Sequence, residues 1–188
     1  MTQSRSSQVD LSSTRYYHIY SRCVREAYLL EASRGIDHKQ LFIERLKLLS
    51  SSFGIDVCAY AVMSNHYHLV LHIDVERVSR WDDKEVASRY MRFSRHGLLS
   101  RWLSGATLDK SEQSQVDALL PVIRERLGDL SWYMRCLNEW VARQINAEEG
   151  VSGRFWASRF KSQALLDEAA LLTCMQYCLL YTSDAADD

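Results

Sequence analysis

The hydrophobic pattern opens with "RYYHIYSR", residues 15–22, a run rich in aromatic and β-branched residues that predicts a first strand. Residues 37–53 then carry Leu41, Phe42, Leu46, Leu48 and Leu49 at helical spacing, with Asp37 as the N-cap and Gly54 as the stop. "IDVCAYAV" and "HYHLVLHI" follow as two strand-like runs separated only by Met63, Ser64 and Asn65, which predicts a hairpin. A helix is expected over 84–103, with Lys84, Arg89, Arg92, Arg95 and Arg101 around an apolar stripe; its basic residues read as a solvated face. Two more are expected at about 115–127 and 129–147, the second marked by Leu130, Tyr133, Met134, Leu137, Trp140, Val141 and Ile145. Residues 153–166 read as a loop leading into a strand, and 167–177 as a final helix opened by Asp167. The order β-α-β-β-α, a helical insertion over about 84–147 and a closing β-α unit predict an α+β fold, an antiparallel sheet with helices mainly on one face.

The second hairpin strand holds the chemistry. Side chains alternate along a strand, so His66, His68, Val70 and His72 share one face while Tyr67, Leu69, Leu71 and Ile73 share the other. The second face is core. On the first, the Cα atoms of His66 and His68 are about 6.5 to 7 Å apart, close enough for their rings to converge on one ion, whereas His72 lies about 13 Å beyond His68. A bare His-any-His pair is more often an exposed polar sheet face, and two imidazoles alone do not make a metal site.

Composition narrows the field. The chain has 188 residues, 47% of them hydrophobic, enough for one domain with a real core. Its formal charge is −1, a balance that neither demands nor forbids a polyanionic partner. Five scattered cysteines form no CxxC pair, which speaks against a zinc finger or a thioredoxin-type site and suits a reducing cytoplasm. No apolar run approaches the roughly 18 to 20 residues of a membrane span. Residues 1–14 are polar, lack the apolar centre of a signal peptide and read as a disordered arm.

"MSNHYHLVL" together with "GRFWASRFKSQALLDEAALLTCMQY" resembles the single-tyrosine HUH transposases, above all the REP-associated tyrosine transposases and their insertion-sequence relatives. The resemblance runs from about Arg15 to Tyr177. It implies a ferredoxin-like (RRM-like) sheet, with His66 and His68 as ligands of Mg²⁺ or Mn²⁺ and Tyr177 as the nucleophile on single-stranded, hairpin-forming DNA. Tyr177 would serve its own histidines or those of a second subunit in a homodimer. A phenol of pKa about 10 needs a nearby cation to act at neutral pH, and attack would leave a 5′-phosphotyrosine and a free 3′-OH. Arg154, Arg159 and Lys161 flank Phe155, Trp156 and Phe160, a basic and aromatic interleaving that suits phosphate contact and base stacking, or equally a strand with a solvated face. Arg22 and Arg25 are further DNA-binding candidates. Two other functions fit the same scaffold: a catalytically inactive nucleic-acid-binding module, and a metal phosphodiesterase that uses water.

The family pattern continues past its tyrosine to an Asn or Gln four residues on, as an extra ligand, and to an Asn-Pro pair. Here the chain reads "CLLYTSDAADD", with Tyr181 at the ligand position. Back-translated, residues 178–188 match a transposon-derived sequencing adapter read in frame. The natural gene sequence is therefore expected to depart from this chain after Tyr177, taking the third ligand with it. Without those residues, which hold three acids and no base, the count is 23 basic against 21 acidic side chains, a mildly basic +2.

Overall fold

The computed structural model describes residues 9–183, with side chains to residue 180. Four strands, β1 (Tyr16–Arg22), β2 (Ile55–Val62), β3 (His66–Ile73) and β4 (Lys161–Ala164), form one antiparallel sheet in the order β2-β3-β1-β4. That order is the ferredoxin-like one, as the resemblance implies. The hairpin joins β2 to β3, and β1 inserts between β3 and β4 with Tyr20 opposite His68 and Arg22 opposite His66.

Among the described residues seven α-helices accompany the sheet: α1 (His38–Ser52), α2 (Val75–Ser79), α3 (Asp83–Met91), α4 (Gly97–Leu103), α5 (Lys110–Leu127), α6 (Leu130–Glu149) and α7 (Glu168–Ser183). Six of them begin behind an aspartate whose carboxylate accepts a backbone N–H of the first turn: Asp37, Asp74, Asp82, Asp109, Asp129 and Asp167. Each such cap contributes about 1 kcal/mol to its helix. Asp109 and Glu112 complete a reciprocal capping box.

The main core lies under one face of the sheet. Tyr17, Ile19, Tyr67, Leu69, Leu71 and Ile73 pack there on Phe42, Leu46 and Leu49 of α1 and on Tyr133, Met134, Leu137 and Val141 of α6. Tyr67 is fully buried and its hydroxyl donates to Asn138 Oδ1 at 2.8 Å. The opposite, histidine-bearing face is partly covered by α7, whose Leu171, Cys174, Met175 and Cys178 rest on Ala59, Ala61 and Val70. The two alanines of β2 have no bulk to hold the helix away.

Several boundaries differ from the sequence reading. The stretch 84–103 is two helices: the first ends at Met91, with Arg92 as its C-cap, and His96 starts a new helix as its N-cap. α2 was not anticipated, α5 begins at Lys110, the insertion spans 75–149, and α7 stays helical through Ser183. Within the polar arm, residues 1–8 lie outside the described residues. Residues 9–14 form an ordered turn around Asp10, with Val9 and Leu11 against the core, so the expected disorder does not extend to them. No disulfide joins the cysteines among the described residues. No helix among the described residues is long and apolar enough to cross a membrane.

Candidate active site on the histidine face

Pairing across the sheet sets out this face in rows. Lys161, Tyr20, His68 and Ala61 form one row; Gln163, His18, Val70 and Ala59 form the next; Arg22 stands beside His66 at the strand end. The rings of His18 and His68 stack at 5.0 Å with 15° between their planes, and Tyr20 stacks on both, at 5.6 Å from His18 and 5.8 Å from His68. His66 and His68 meet edge to face with centroids 5.3 Å apart.

Each histidine of the predicted pair has its Nδ1 engaged. His66 Nδ1 lies 2.6 Å from Asn65 Oδ1, an oxygen that only accepts, so Nδ1 carries the proton. Asn65 is fixed in turn, since its amide donates to the Glu26 carbonyl. His68 Nδ1 lies 2.8 Å from His18 Nε2. With the proton on His68 Nδ1, both rings present an unprotonated Nε2, the arrangement seen where a second group orients a metal-bound imidazole.

Protonation also favours ligand character. Burial, reinforced by His18, His66 and Arg22, brings the His68 pKa down to about 4. Burial lowers His66 as well, helped by Arg22, and burial alone lowers His18. All three rings are thus neutral near pH 7, and a neutral imidazole has a lone pair to give. Such a donor set fits a divalent ion whose remaining positions are filled by water or phosphate oxygen. Among the described residues, no group of three or more His, Cys, Asp or Glu side chains is placed to hold an ion. His18 turns its Nε2 onto His68 and does not supply the third position.

α7 carries Tyr177 over this face. Its ring stands edge-on to His68 with centroids 5.3 Å apart, and the residue is 40% exposed, reachable from outside. Tyr177, His66 and His68 are therefore brought together from two elements more than a hundred positions apart. His72 is not part of the group; it pairs with Asp56 at 3.4 Å and packs on Tyr16.

The six predicted DNA contacts divide. Arg22 and Lys161 are exposed beside the histidine face. Arg154 and Arg159 are exposed too, but they line a groove of about 490 Å³ against α6, with Arg135 and Arg143 across it. Trp156 lies in the same groove as a packing residue: its indole N–H donates to the Asn138 carbonyl at 2.9 Å and its ring abuts Tyr67 and Phe155 edge to face. Arg25 sits in a 3-10 turn after β1, at a left-handed φ of 55°. His18, Tyr20 and Asn65 escaped the sequence reading. The first two alternate in "YYHIY" with the same period of two as the histidine strand, and that period is the signal that reveals them.

No protein-family model matches the chain, and no curated protein matches it. Solved structures do. One is a REP-associated tyrosine transposase bound to a REP hairpin, similar at a TM-score of 0.51 and 12% identity, over 98% of this chain and 74% of that one. Another is a Deinococcus radiodurans protein classed as a transposase, at a TM-score of 0.39 and 11% identity, over 88% of this chain and 89% of that one. The likeness to the first is one of fold, and the fold of this chain is transposase-like.

Proposed function

We propose that this chain belongs to an enzyme that nicks and rejoins single-stranded DNA through a covalent tyrosine intermediate. The observation that carries the reading is the approach of Tyr177 on α7 to His68, beside a histidine pair whose Nδ1 atoms are both engaged. His66 and His68 would hold Mn²⁺ or Mg²⁺ through Nε2, and the ion would supply charge neutralisation at the scissile phosphate. The Tyr177 phenol gives up its proton to water and its oxygen bonds to phosphorus as the bond from phosphorus to the 3′ oxygen breaks; the 3′ oxygen takes a proton from water and leaves as a 3′-OH, with the phosphate left on Tyr177. Arg22 and Lys161 flank the face where the strand's phosphates would lie. Hairpin DNA is the favoured substrate class, because the solved neighbour of the same fold holds a hairpin.

A second reading has its own support. The described residues group no third His, Cys, Asp or Glu side chain with these imidazoles, an arrangement that a binding module without catalysis would tolerate. Incubation with Mn²⁺ and 5′- or 3′-labelled hairpin oligonucleotides separates the two. The enzyme reading expects a covalent protein–DNA band that Tyr177→Phe abolishes. DNA binding with no such band, from this chain and from its Tyr181→Asn variant alike, favours the module. Cleavage that survives Tyr177→Phe points to water as the nucleophile.

A further inference from the structure

Arg45 of α1 is a cation buried without a carboxylate partner among the described residues. It is 8% exposed, and its Nε and Nη2 both donate to the Cys136 carbonyl, at 3.4 and 3.3 Å. The guanidinium also meets the rings of Phe93 and Trp140, 6.0 and 5.0 Å from their centroids. One carbonyl and two aromatic faces bring partial negative charge only, whereas a buried charge is as a rule paired. Burial accordingly lowers the Arg45 pKa. The neighbouring thiol does not supply the missing charge, because burial pushes Cys136 up to about 11 and keeps it neutral near pH 7.

Arg45 lines a cavity of about 260 Å³ between α1, the end of α3 and α6. α1 and α6 pack under the core face of the sheet, so this cavity lies on the side away from His66 and His68. Four rings, Tyr90, Phe93, Trp132 and Trp140, form much of its wall. Trp132 adds a second unanswered donor: its indole N–H is buried and has no partner among the described residues. Arg126 and Arg135 stand over that ring at 4.2 and 5.0 Å and make the surroundings more positive. Glu139, the acid in the lining, is engaged by Arg135 and Arg143. Two unanswered donors, one of them charged, call for an anionic acceptor and exclude a metal ion. The rings call for a flat apolar body. A cavity of about 150 Å³ can hold benzene, so this one has room for a ring and its acid group.

We infer that this cavity binds a small aromatic acid, with its oxyanion on the Arg45 guanidinium and the Trp132 N–H and its ring among Tyr90, Phe93 and Trp140. The ligand supplies the countercharge that the fold itself leaves out. A carboxylate and a phosphate monoester share this chemistry. Binding here requires neither DNA nor a metal at the histidines.

Isothermal titration calorimetry of the full chain with benzoate, phenyl phosphate, benzamide and inorganic phosphate tests the site. Saturable binding of benzoate or phenyl phosphate is expected, and the tighter of the two names the oxyanion. Benzamide has the shape without the charge, and inorganic phosphate the charge without the ring. Each is expected to bind at least about tenfold more weakly than the better acid. Arg45→Met keeps an apolar stem and removes the cation, and is expected to weaken binding of that acid at least about tenfold. Should this variant fail to fold, Trp132→Phe takes its place; it keeps a ring, removes the N–H and is expected to weaken binding at least about threefold. Absence of saturable binding by both acids, equal affinity for benzamide or for inorganic phosphate, or unchanged affinity in the folded variant would each overturn the proposal.

Discussion

The orientation of His66 and His68 is decided by two side chains that stand outside the His66-Tyr67-His68 stretch. Asn65 holds one ring from the preceding position and His18 holds the other from the neighbouring strand, each at the Nδ1 atom. Removing such a partner typically costs about 10 to 100-fold in metal affinity. Asn65→Ala and His18→Ala are therefore each expected to weaken Mn²⁺ binding by at least about tenfold in calorimetric titration, with partial recovery in His18→Gln, whose amide oxygen still accepts from Nδ1–H. Unchanged affinity in both alanine variants would leave the contacts without an orienting role. A stability effect follows from the same rings. The folded His68 has a pKa of about 4 against 6.5 for the free side chain, so the unfolded state takes up a proton first as the pH falls. Stability from this group is present above pH 6.5 and is lost progressively between about 6.5 and 4. In metal-free buffer, the melting temperature of His68→Gln should fall less steeply over that interval than that of the parent. Equal slopes would mean that the ring is not desolvated as its position implies.

At the scale of elements, the long periodic helices and the hairpin were legible because each shows a clear period or a clear turn, whereas the sheet order came only with the resemblance. α2 was not: "VERVS" is five residues, too short for a helical period to appear, and only the Asp74 cap marks it. The break between α3 and α4 was hidden because the apolar stripe runs on through it, while His96 supplies a cap that no Ser, Thr, Asn or Asp announces. The placement of α7 across the histidine face depends on Ala59 and Ala61, residues whose small size acquires meaning only once their face is known. Gly54 shows how closely the elements meet. A Cβ there would lie 2.2 Å from Val78 Cγ2 and 2.8 Å from the Asp74 carbonyl oxygen. Since the second contact is backbone, Gly54→Ala should destabilise the protein by about 1 to 3 kcal/mol, and Val78→Ala should not restore it fully. Chemical denaturation of the single and double variants measures both. α7 carries a further consequence. It remains helical through Ser183, so position 181 lies one turn beyond Tyr177. The resemblance to HUH transposases puts an Asn or Gln there, and Tyr181→Asn is expected to raise Mn²⁺ affinity and the yield of any covalent DNA product above the parent chain. No gain in either would mean that the metal, if bound, draws its remaining ligands from elsewhere.

Across the whole molecule, cations form two distinct surfaces on opposite sides of the sheet. Arg22 and Lys161 border the histidines, while Arg154 and Arg159 face Arg135 and Arg143 in the groove on the α6 side. Sequence proximity joins Arg159 to Lys161, and only the register of β4, which sets Lys161 opposite Tyr20, separates them. The two surfaces make different demands on a bound strand. A short oligonucleotide engaged at Tyr177 can reach Arg22 and Lys161 directly, whereas it reaches the groove only by rounding the sheet edge beyond β4. Each phosphate contact on a single strand contributes about 0.7 to the slope of log affinity against log salt. Arg22→Gln with Lys161→Gln should therefore lower the slope by about 1.4 for a short oligonucleotide. Arg154→Gln with Arg159→Gln should leave that slope unchanged and lower it only for strands long enough to turn the corner. The reverse result, a short strand sensitive to the groove pair and indifferent to the pair beside the histidines, would put the DNA on the helical side, away from Tyr177, and would argue for a binding module over a nicking enzyme.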